Sequence, residues 1–123
     1  MKEELSYGKV KISKEVISII AGIAAQEVKG VSRVGENLPS TFERLVSGIP
    51  IGRGIKVEIK EKDVFILVPI YILPNYSFPE VSKDVQSHVK EVVESMTGLN
   101  VQEVNVIIKG IYLGDKKKKE DKK

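Results

Sequence analysis

The stretch "VFILVPIYIL", Val64 to Leu73, has Tyr71 as its one polar side chain. A strand that alternates apolar and polar residues can leave one face in water, but a continuous apolar strand needs cover on both. It follows "IKVEIK" after the short polar segment "EKD", and this order predicts a β-hairpin. Pro69 cannot donate to a ladder, so it predicts an edge position or a bulge in the second strand. The run is also well short of the roughly 18 apolar residues that suggest a membrane span. The chain is therefore expected to fold around a sheet that contains this strand.

Two helices are expected beside it. In "ISKEVISIIAGIAAQEVKGV", Ile12 to Val31, Ser13 is placed as an N-cap, Glu15 favours the first turn and Gly30 ends the element. On a wheel of about 100° per residue, Val16, Ile17, Ile19, Ile20, Ile23, Val28 and three alanines cover an arc of roughly 240°. A helix lying on a sheet needs an apolar stripe only about 100–140° wide. The segment is too short and too charged to cross a bilayer, so the surplus predicts a neighbour on its second side. In the later helix, "SFPE" forms a capping box headed by Ser77, with Pro79 tolerated in the first turn. Val81, Val85, Val89, Val92, Val93 and Met96 share one face, and Gly98 ends the helix.

"GKVKI" (Gly8 to Ile12) and "VSRV" (Val31 to Val34) read as short strands, and "VQEVNVIIKGIYL" as a longer one after the second helix. The expected fold is α+β, a single mixed sheet with two main helices packed mainly on one face, in the order β-α-β-(loop)-β-β-α-β. Residues 1–114 are expected to form one domain. The rest, 115–123, is a lysine-rich segment expected to remain solvated, since like charges repel and bury nothing.

That tail carries the formal net charge of +3, since it holds six lysines against three acids and the preceding residues balance. A folded nucleic-acid binder usually carries its basic charge on the body. Nucleic acid is therefore not the expected partner. The alternative, a small RNA-binding module, would depend on Arg53 and on Lys116, Lys117, Lys118 and Lys119 as anionic contacts. The chain has no cysteine, which excludes disulfides, thiolate metal sites and cysteine nucleophiles. No signal peptide is apparent in "MKEELSYG".

The remaining motifs carry little chemistry. His88 is the sole histidine, and no cysteine or carboxylate cluster accompanies it in the sequence, so a packing or hydrogen-bonded role is expected. Glu27 falls within the apolar arc near its helix end, where a carboxylate can reach water or a cation. "GIPIGRG", Gly48 to Gly54, lacks the Gly-Lys-Ser/Thr ending of a phosphate-binding loop and leads into a strand rather than a helix. No catalytic residue, cofactor site or metal site is expected.

The blocks "GKVKISKEVISIIAGIAAQEVKGV", "GIKVEI" and "VQSHVKEVVESMTGLNVQEVNVIIKGI" resemble, in order and spacing, the alkaline shock protein 23 family of Gram-positive bacteria. The likeness extends from Gly8 to Ile111, and "MTGL" followed by "VQEVNV" is its most specific part. Leu67 and Pro69 stand where the family often has Asp and Tyr. Pro74 and Asn75 replace its usual Tyr-Gly, and Asn75 tolerates the left-handed backbone that Gly would supply.

The resemblance implies a non-enzymatic cytoplasmic protein linked to cell-envelope homeostasis and stress. Some members self-assemble near the membrane through a membrane-anchoring protein partner, and one branch is linked to acetyl-CoA carboxylase in fatty-acid synthesis. A homo-oligomer is the expected state. Its interaction surface is expected from Ile17, Ile19, Ile20 and Ile23 on the first helix, and from Phe65, Leu67, Ile70 and Ile72 on the apolar strand.

Overall fold

A computed structural model describes residues 8–35 and 54–113. Its elements are α1 (Lys14–Gln26), β1 (Val31–Val34), β2 (Lys56–Lys60), β3 (Asp63–Ile72), α2 (Phe78–Thr97) and β4 (Asn100–Ile111). The architecture is the expected α+β arrangement, with one mixed sheet: β1 and β2 run antiparallel to β3, and β4 runs parallel to it.

The order of strands follows from the length of β3. β4 is paired with β3 from Asp63 to Ile72 and so takes one entire edge. A strand has only two edges, so β1 and β2 must share the other. β2 lies opposite Asp63 to Leu67 and β1 opposite Ile70 to Ile72.

Pro69 sits at the seam between them, which corrects the expectation of an edge strand or a bulge, since the nearest register shift in the β3–β4 pairing lies between Ile70 and Tyr71. Its carbonyl accepts the Gly35 N–H at 2.8 Å and so points toward the β1–β2 side. The missing N–H of Pro69 points the same way, into the junction where neither strand lies opposite it. A proline thus stands within the central strand without removing a ladder bond.

Residues Gly8 to Ile12 form no strand, a second correction. Both edges of β3 are already taken. Val10 is exposed, while Ile12 packs on the core.

The helices begin and end where local chemistry places them. Ser13 Oγ accepts the Val16 N–H at 3.1 Å, and Ser77 Oγ accepts that of Glu80 at 3.3 Å. Gly98 ends α2 in the left-handed conformation, and its N–H donates to the Glu94 carbonyl. α1 stops earlier than expected, with Glu27 as its C-cap. Asn75 has φ of 72°, the conformation anticipated for it.

Val64, Ile66, Val68, Ile70 and Ile72 bury one face of β3 against Val81, Val85, Val89 and Val93 of α2 and Ile17, Ala21, Ala24 and Ala25 of α1. Both helices therefore lie on this face. On the opposite face Phe65, Leu67 and Tyr71 are half-buried, and Pro69 is buried. Cover there is partial: the Lys60 ammonium stands 5.8 Å from the Phe65 ring centroid. The Arg33 guanidinium lies 3.9 Å above the Tyr112 ring, whose edge meets Tyr71.

Candidate functional site

α1 is apolar on two opposite sides. Ile17 is fully buried, whereas Val16, Ile19 and Ile23 are 46%, 37% and 44% exposed. Steps of about 100° per residue place this exposed stripe roughly 150° around the helix from the buried one. Ile20 lies between the two and packs partly on the core. The residues responsible are spaced three and four apart, so they form a continuous ridge along the helix.

The proposed surface residues accordingly divide. Ile19 and Ile23 lie on the exposed ridge, joined by Val16. Ile17, Ile70 and Ile72 are core residues and present nothing to a partner, a correction with a simple cause: each points into the layer between helices and sheet. Phe65 and Leu67 lie half-buried on the opposite sheet face, away from α1. Arg53 and Lys116, Lys117, Lys118 and Lys119 fall outside the described residues, as do the segment 115–123 and all of "GIPIGRG" except Gly54.

At the C-terminal end of the ridge, Glu27 Oε1 and His88 Nε2 are 2.8 Å apart. The contact ties α1 to α2 and places an acceptor opposite the histidine, the hydrogen-bonded role expected for it. Both side chains remain substantially solvated. Among the described residues, no three histidines or carboxylates are grouped as a metal would require.

A second site lies along the outer edge of β4, which sequence patterns did not single out. Gln86, Lys90 and Glu94 follow one another at four-residue spacing down the flank of α2 and reach this edge. Gln86 Nε2 donates to the Val104 carbonyl, and Lys90 Nζ to that of Val101, each at 2.9 Å. Glu94 Oε2 accepts the Val101 N–H at 2.9 Å. Gln86 and Lys90 line a shallow groove with residues 101–105 of β4. Hydrogen bonds from Lys90 and from the Val101 N–H hold the Glu94 carboxyl below its ordinary value, against an opposing effect of desolvation. The four-residue spacing was the available sequence signal, but it acquires meaning only once β4 is known to be an edge.

The family model of alkaline shock protein 23, described as having a cell envelope-related function, matches residues 2–113. The chain belongs to the alkaline shock protein 23 family.

Among similar proteins, this alkaline shock family member is 34% identical to YqhY of Bacillus subtilis (strain 168), over 93% of this chain and 84% of that protein. It is 31% identical to a stress response regulator gls24 homolog of Streptococcus pyogenes serotype M3 (strain ATCC BAA-595 / MGAS315), over 80% of this chain but 56% of that longer protein. In fold it is similar to a zinc form of a variant MamM CTD, with a TM-score of 0.51 and 16% identity, covering 82% of this chain and 89% of that one. At that identity the likeness concerns the fold alone. No described helix is long and apolar enough to cross a membrane.

Proposed function

We propose that this alkaline shock family member is a non-enzymatic interaction protein of the envelope-linked stress response, acting by self-association and by binding protein partners. The observation that carries this reading is the ridge Val16–Ile19–Ile23, an apolar surface opposite the helix's own core contacts. Such a ridge gains by leaving water, and a second copy offers the same ridge in return. In this reading the protein works in the cytoplasm and reaches the membrane through an anchoring protein rather than by a span of its own.

Size-exclusion chromatography with light scattering tests the reading on the wild type and on Ile19→Lys. The wild type is expected to associate and the variant to lose that association while keeping its fold, because Ile19 is partly exposed. A wild type that stays monomeric at high concentration would overturn it.

A further inference from the structure

The outer edge of β4 is guarded along only half its length. The side chains of α2 satisfy the outward N–H and C=O of Val101 and the outward C=O of Val104. Pairing with β3 is regular from Glu103 to Ile108, so outward peptide groups recur at every second residue. Val106 and Ile108 are therefore the next to present both N–H and C=O away from β3. Among the described residues, no strand pairs with this edge. An apolar edge of this kind is the surface on which strands add, and natural proteins ordinarily shield it.

We propose that this half-edge pairs with the same half-edge of a second copy, antiparallel, about a two-fold axis passing beside Ile107. Three features select this occupant and register. The Val104 carbonyl is already taken by Gln86, so within the regular stretch Val106 and Ile108 are the residues that still offer both groups. Setting Val106 opposite Ile108 of the second copy uses all of them, as two pairs that each exchange both backbone bonds. The same register sets Ile107 against its own counterpart, and Ile107 is 41% exposed in the single chain. It also sets Lys109 opposite Asn105, with Glu103 diagonally beyond, so that no like charges meet and one opposite pair is brought within reach. The pairing rests on the self-association reading above but uses a surface separate from α1.

The test is sedimentation of the wild type, Ile107→Lys, Ile107→Glu, an equimolar mixture of the two variants, and Ile19→Lys. Like charges face each other across the axis in either variant alone, so each should lose one association step, roughly halving its molar mass. The mixture places Lys against Glu and should recover the wild-type mass. Variants that keep the wild-type mass, or a mixture that fails to recover it, would overturn the pairing.

Loss of association in Ile19→Lys but not in the Ile107 variants would reject the edge and leave the α1 reading standing. The converse would uphold the edge and reject α1, whereas a monomeric wild type would reject both. Ile107→Cys gives a second readout, because the chain has no other thiol. It should oxidise to a covalent dimer much faster than Ser95→Cys on the exposed side of α2, and equal rates would count against the pairing.

Discussion

A single oxygen of Glu94 accepts both the Val101 N–H and the Lys90 ammonium, each at 2.9 Å, while Lys90 also donates to the Val101 carbonyl. One turn of α2 thereby satisfies both polar groups of an edge-strand peptide. This stands in for a neighbouring strand, which is lacking there among the described residues.

The arrangement makes stability depend on acidity in a defined direction. Because the Glu94 carboxyl is depressed in the folded state, its contribution is fully present above the unfolded carboxyl value near 4.5. It is lost as pH falls through the lower folded value. Thermal unfolding of wild type and Glu94→Gln should therefore show a gap at pH 7 that narrows toward pH 3. A gap that stays constant with pH would refute the assignment.

Gly30 cannot carry a side chain. Its φ is 98°, and an added Cβ would stand 2.8 Å from both Tyr76 Cδ2 and Val81 Cγ2. Strain and overpacking together should make Gly30→Ala cost about 3 kcal/mol in urea unfolding. Gly98 also has positive φ, at 77°, but nothing lies within 4 Å of its Cβ position. Gly98→Ala should cost only about 1 kcal/mol, through backbone strain alone. Equal losses would mean that the close approach at Gly30 is unimportant.

Glu61 offers the opposite change. It is the first residue of the two-residue turn between β2 and β3 and has φ of 58°. Glycine adopts that conformation without steric penalty, so Glu61→Gly should stabilise the protein by about 0.5–1 kcal/mol. A lower unfolding midpoint for the variant would contradict the turn assignment.

The two sides of α1 should respond differently to the same truncation. Ile17→Ala empties a fully buried position and should cost about 2–5 kcal/mol. Ile23→Ala trims a 44% exposed side chain and should change the stability of dilute protein by no more than about 0.5 kcal/mol. Denaturant unfolding at low concentration distinguishes them, and a large loss at Ile23 would make the ridge part of the core.

Local grammar was legible in the sequence. Ser13, Ser77, Gly98 and Asn75 act within a few residues of themselves, and each occupies the place its chemistry favours. The hairpin was legible for the same reason. Features that depend on neighbours distant in the chain were not. Pro69 is accommodated only because two separate strands abut on one edge of β3, a fact of strand order.

The wheel of α1 shows too much apolar surface but cannot say which side faces inward, so it groups Ile17 with Ile19 and Ile23. Similarly, Ile70 and Ile72 separate from Phe65 and Leu67 only once the helices are known to share a face. The unguarded part of β4 becomes visible only when the reach of α2 along it is known.

Among the described residues, β3 is the common partner of every other strand, and no two of the others are paired with each other. No strand can therefore join the sheet before β3 is in place, and loss of β3 would leave each remaining strand isolated. The adjacent hairpin with β2 involves the shortest chain closure, whereas β4 reaches β3 only across the intervening α2. The outward-facing chemistry of this protein is thus arranged around one inward strand whose release would dismantle the whole sheet at once.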